Sequence, residues 1–294
     1  MFVILALASA AFYGAADFLG GIASKRADAV VVTLVAQGAG LVLLALLLPV
    51  LPSSSPVPSD YAWGAAAGVA GSAGVALLYR ALAIGTMSIV APITAVCAAA
   101  VPVLVALGLG ERPGMRAGLG ILLAAIAIVL LSRVAPAPAG ADLAPRRGQS
   151  AVSLAFISGI AVGLFFLCLA QTSDDAGLWP LIVGRSVSVP VFAVMVVTRV
   201  RNRPPSRSRD GETDRLERGG AATAVGCGIL DMLANALYLI ATRDGPLSLV
   251  ATLASLYPAS TVLLARFTLG ERLSGSQALG VACALVAVVL IVSP

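Results

Sequence analysis

The chain has 294 residues, 59% of them apolar and only 11% charged, with a formal net charge of +5 and a pI near 9.4. A soluble domain carries about a quarter charged residues, so this composition excludes an ordinary globular enzyme and indicates a polytopic membrane protein. The basic pI does not indicate nucleic acid, because the cations sit between apolar runs without an aromatic-interleaved surface; loops facing an anionic membrane account for them.

The first apolar run, over residues 2–22, lacks the basic n-region of a signal peptide and precedes many further spans, so it reads as the first transmembrane helix. It carries Tyr13 as a polar aromatic and Asp17 near its far end, where the carboxylate either faces Lys25 and Arg26 or belongs to a substrate or proton pathway. The second helix, 30–50, holds Gln37. "PVLPSSSPVPSD" then separates it from the third, 62–82, which carries Gly64, Gly68, Ser72 and Tyr79. The fourth, 87–109, contains Pro92 and Pro102, each able to kink it, and ends in "LGER" at Glu111. The fifth spans 115–133.

"APAPAGADLAPRRGQS" is too Pro-rich and polar to cross lipid, and marks a linker at 134–150 between a first unit, 1–133, and a second, 151–294. The sixth helix, 151–171, carries Gly159 and Gly163, whose spacing permits close approach within one molecule or between two subunits. Asp174 and Asp175 fall in a short loop and read as solvated. Arg185 lies about seven residues into the seventh helix, 178–198, and either receives a substrate carboxylate or extends to the interface. After an arginine-rich loop comes the eighth helix, 219–241, with Asp231 midway and Asn235 one turn on, followed by Tyr238. A carboxylate at that depth takes up a proton, meets a substrate ammonium, or ties structurally to Arg185. The ninth, 247–268, carries Tyr257 and Pro258 and ends in a second "LGER" at Glu271; the tenth is 274–293. Pro92 and Pro258 are candidate gate hinges, and Glu111 and Glu271 candidate helix-end or gating residues.

Shifting 85–132 by 160 positions lays it on 245–292, and a third of the 48 pairs are then identical, including "LGER". The front halves match more weakly at a shift of 148, which sets Gln37 opposite Arg185. Helices 1–5 and 6–10 therefore read as two copies of one unit. Five is odd, so the second copy enters from the opposite side, giving an all-α fold of ten transmembrane helices in two inverted five-helix repeats. Inverted repeats mark secondary transporters with a site at the repeat interface.

Length, ten spans, duplication and the paired Gly110-Glu111 and Gly270-Glu271 make the chain resemble the drug/metabolite transporter superfamily, in its EamA-like ten-helix branch. The resemblance implies a membrane transporter, commonly an exporter of amino acids or other small metabolites and often proton-driven. It names no substrate. Gln37 opposite Arg185 leaves the first copy without a matching cation.

There is no histidine, and the four cysteines lie singly in apolar runs, so neither a catalytic acid–base set nor a metal site is expected, and no cofactor. The expected partners are a small-molecule substrate, protons and the bilayer, with no nucleic acid; the chain is a monomer or homodimer of the plasma membrane. Alternatives are multidrug efflux, uptake of a sugar-like metabolite, a lipid-linked membrane enzyme, or a non-transporting scaffold or receptor. Only 5% of residues are aromatic, which argues against a large aromatic drug pocket. Counting loop cations places both termini outside the cytoplasm, whereas the resemblance implies cytoplasmic termini.

Overall fold

The computed structural model describes residues 1–24, 27–49, 54–84, 87–131, 145–201, 218–269 and 274–292. The helices are α1 Phe2–Ser24, α2 Ala29–Leu47, α3 Pro58–Ile84, α4 Met87–Gly108, α5 Met115–Leu131, α6 Pro145–Ala170, α7 Trp179–Arg201, α8 Arg218–Asp244, α9 Leu247–Ala254, α10 Tyr257–Leu269 and α11 Gly275–Val292. Six of the described helices are long and apolar enough to cross a bilayer, and four shorter apolar helices accompany them. Among the described residues they give ten apolar helical segments, the number the hydropathy pattern predicts, with α9 and most of α10 falling in one expected span.

That sharing corrects the single ninth helix expected over 247–268. The break falls at Ser255 and Leu256, whose N–H groups turn back to Ala251 and Leu253 in a tightened last turn. Residue 258 is proline, so the Ala254 carbonyl loses its helical donor, and the chain restarts at Tyr257. Pro258 thus sits at the second residue of a new helix and does not kink a continuous one. The Ser255 hydroxyl is buried beside the break without a hydrogen-bond partner. Pro190, by contrast, lies inside an unbroken α7.

The first "LGER" is a helix terminator with readable geometry. Gly110 adopts φ 101°, the left-handed conformation that favours glycine, and its N–H donates to Leu107 O at 3.2 Å. The Glu111 N–H reaches back to Ala106 O at 3.0 Å, completing a Schellman motif that satisfies the last carbonyls of α4. Glu111 is thereby delivered to the outside of the turn with its carboxylate free to act elsewhere. Glu271 lies outside the described residues.

Small residues set the helix packing. α1 packs most closely on α8, α3 on α6, and α5 on α11. Gly64 and Gly68 of α3 press on the backbone of Pro180 and Gly184 in α7, and Gly159 and Gly163 of α6 press on Thr94, Cys97 and Val101 of α4. Both spacings therefore serve packing within this chain. Exchanging α1–α5 with α6–α11 in order returns the main helix contacts. The α1–α8 contact maps on α3–α6, α3–α7 on α2–α8, and α4–α6 on the contact of α1 with α9 and α10. Outward-facing Ile4, Leu46, Val69, Leu104, Leu122, Phe156, Val194 and Leu285 are exposed, as lipid-facing side chains must be.

Candidate functional site

About seven residues into α7 and midway along α8 lie the two charges singled out by their depth, Arg185 and Asp231. Arg185 is 9% exposed and its guanidinium is paired with the Asp231 carboxylate. One turn beyond Asp231, the Asn235 amide donates to Asp231 O at 2.6 Å and to its carboxylate at 3.1 Å. Tyr13 of α1 completes the chain, its hydroxyl donating to Asn235 Oδ1 at 2.9 Å. A buried charge is tolerated when it is paired and hydrogen-bonded, and here α1, α7 and α8 all take part. Asp231 keeps 34% of its side chain exposed against 11% for Arg185, so one end of the network faces open space.

Gln37 of α2 lies on the other side of Arg185 and accepts from the Ser188 hydroxyl at 3.2 Å. With Ser72, Gly68, Gly184 and Leu169 these residues line a cavity of about 30 Å³. That is room for water rather than for a metabolite, whose sites run to about 300 Å³ or more.

Asp17 stands one turn from Tyr13 on the same helix and is exposed, within electrostatic reach of Asp231. Tyr257, at the start of α10, packs edge-to-face on Tyr13 with centroids 6.3 Å apart and lies within electrostatic reach of Asp17. Tyr238 is fully buried, with its ring 4.5 Å from Phe166. The side chains of Tyr79 and Pro92 lie outside the described residues, as do Lys25 and Arg26.

A second set of contacts closes the face on which the chain begins. Glu111 accepts from the N–H groups of Leu247 and Ser248 at 2.8 and 3.1 Å and from the Ser248 hydroxyl at 2.6 Å. Pro246, the cap residue of α9, offers no side-chain acceptor, so a carboxylate from the other half of the chain supplies the cap. Asp60, 1% exposed at the start of α3, accepts from the Ser173 N–H at 2.7 Å and its hydroxyl at 2.8 Å, and from the Val57 N–H. Ser55 N–H donates to Asp175 O at 2.9 Å, and Arg243 donates to Gly177 O at 2.7 Å. Arg243 is thus held by the loop before α7. On the opposite face the described residues contribute one exposed pair, Arg199 with Asp28 at 3.4 Å.

The sequence reading missed Asp60, Ser173 and Ser248. Asp60 had a signal, since an acid in the first turn after Pro58 is a helix-start pattern. Ser173 and Ser248 had none, because their partners lie 113 and 137 positions away.

A bundle of apolar helices with exposed aliphatic sides and a charged pair at mid-depth defines a multi-pass membrane protein. The chain belongs to the EamA-like transporter family, whose family model matches residues 1–133 and again 149–293. It is accordingly a membrane transporter of the drug/metabolite type. A protein of known crystal structure has a similar fold, with TM-score 0.68 and 17% identity over 97% of this chain and 96% of that one. At that identity the likeness speaks for the fold alone. Curated proteins give no match.

Proposed function

We propose that the chain is a secondary transporter of small metabolites in the plasma membrane, exporting amino acids or related compounds by alternating access, with protons as the coupling ion. The carrying observation is the Tyr13–Asn235–Asp231–Arg185 network, because charged groups within spans are costly to bury and, where kept, mark substrate or ion pathways. Two units, 1–133 and 151–294 with the linker between them, form inverted repeats; the exchange symmetry of helix neighbours supports this. The two units differ locally, with α4 continuous and its counterpart broken into α9 and α10. Such a difference fits a carrier held in one of two states, here with the starting face closed by Asp60 and Glu111. The excess of loop cations on the opposite, arginine-rich face supports a cytoplasmic position for that face, with both termini outside.

Asp231 and Asn235, with Asp17 and Tyr257, form the pathway; Arg185 releases Asp231 when substrate arrives; Gln37 steadies the helix beside Arg185. Tyr238 supports the ring cluster behind Tyr13. Glu111, and Glu271 by its matching place in the repeat, hold helix ends. Pro258 and Pro92 mark the equivalent flexing helices. The chain works without catalysis or a cofactor, as a monomer or homodimer.

Counterflow in proteoliposomes loaded with amino acids tests this, with and without a pH gradient. Labelled amino acid is expected to accumulate, faster with the gradient, and Asp231→Asn is expected to lose the gradient response. A folded wild type that moves no amino acid removes this substrate class, and uptake of labelled sugars or efflux of dyes then decides between the remaining transport readings.

A further inference from the structure

The exposure of Asp17 is out of place. The buried residues of α1, namely Ala6, Ser9, Ala10, Gly14, Ala16, Gly20 and Ala23, define one face of the helix, and exposed Ile4 and Ala11 define the opposite one. At about 100° per residue, Asp17 falls inside the buried face, beside Tyr13. Contacts on both sides fix that orientation. Ser9 donates to Ala234 O of α8 at 2.8 Å, and Ser260 of α10 donates to Ala10 O at 2.8 Å. Gly14 lies directly against the Tyr257–Thr261 turn. An exposed side chain on this face opens into the bundle and not to lipid.

Among the described residues Asp17 has no hydrogen bond or ion pair. The charged and titratable groups facing it are Tyr13 on its own helix, Asp231 and Cys227 on α8, and Tyr257 on α10. Arg185 on α7 is committed to Asp231. The interior therefore holds two carboxylates and, among the described residues, one guanidinium. Among the described residues the excess is one negative charge, located at Asp17. Two rings adjoin it, Tyr13 one turn before it and Tyr257, whose centroid is 6.3 Å from that of Tyr13. A free carboxylate beside aromatic rings recognises an organic ammonium, through charge-assisted hydrogen bonds and cation–π attraction.

The structure assigns to Asp17, with Tyr13 and Tyr257, a subsite for the ammonium group of the transported molecule. Because Arg185 is engaged by Asp231, the ammonium and not a carboxylate supplies the first recognition. This inference rests on the transport reading for its purpose, but its test reads binding alone, so the two fail separately.

The probes are a panel of small primary amines and amino-acid amides, each matched by its N-acetylated counterpart. Binding to the purified full chain is read as ligand-induced thermal stabilisation at fixed pH. Amines are expected to stabilise the wild type more than their acetylated counterparts. Asp17→Asn is expected to weaken amine binding about tenfold or more, and Asp17→Glu to restore part of it. An unliganded Tm within a few degrees of wild type shows that Asp17→Asn is folded; if it is not, Tyr257→Leu, expected to weaken amines selectively, takes its place. The assignment is overturned if no amine exceeds its acetylated counterpart on the wild type. It is equally overturned if amine preference survives undiminished in the folded variant, or if the variant loses only a pH response, which would make Asp17 a proton site.

Discussion

The central ion pair sets the residue-scale behaviour. Arg185 is nearly enclosed and Asp231 is about a third exposed, so removing one partner strands a charge in a region of low dielectric. Arg185→Met is expected to destabilise the protein by about 2 kcal/mol, below the roughly 3–5 kcal/mol of fully buried pairs because Asp231 keeps some solvent. The Arg185→Asp/Asp231→Arg exchange should recover part of the loss. Thermal unfolding in detergent checks both, and equal Tm values for all three proteins would show that the pair contributes nothing. The depth of each charge was legible in the sequence, as was the i, i+4 step from Asp231 to Asn235. Their partners were not. Tyr13 and Asn235 lie 222 positions apart, and only tertiary packing of α1 on α8 joins them.

Among the elements, the repeated "LGER" had a pattern that could be read and a purpose that could not. Glycine after an apolar run predicts a helix end, and Gly110 delivers it with φ 101°. That Glu111 then caps α9, 136 positions onward, depends on the fold bringing two halves together. Glu111→Ala removes three acceptor contacts from the α9 N-terminus and is expected to cost about 1–2 kcal/mol, with Glu111→Gln intermediate because one oxygen still accepts. Thermal unfolding of the two variants measures it; an unchanged Tm for Glu111→Ala would remove the capping role. The split between α9 and α10 was illegible for a related reason. Pro258 announced an interruption, but hydropathy runs unbroken through Ser255 and Leu256, and the tightened turn before the proline is fixed by burial of α9 against α4 and α1.

Across the whole molecule, hydropathy made the apolar helical segments legible because lipid demands long apolar helices, and the loops between them stood out as polar interruptions. The neighbours of each helix were beyond that reading, except that a duplicated sequence predicts duplicated contacts, and the main contacts found exchange in that way. The closed starting face is the part of the molecule that an alternating carrier must open. Asp60 with Ser173 and Glu111 with Ser248 join the halves there, and Ser55 N–H meets Asp175 O at 2.9 Å.

A disulfide across that last contact tests the central claim most directly. Cys97, Cys168, Cys227 and Cys283 are replaced by alanine, Ser55→Cys and Asp175→Cys are introduced, and counterflow is measured in proteoliposomes before oxidation, after it, and after reduction. Alternating access predicts that oxidation stops counterflow and that reduction restores it. Undiminished counterflow with the bridge fully formed would contradict it, because substrate would then be crossing without the starting face ever opening.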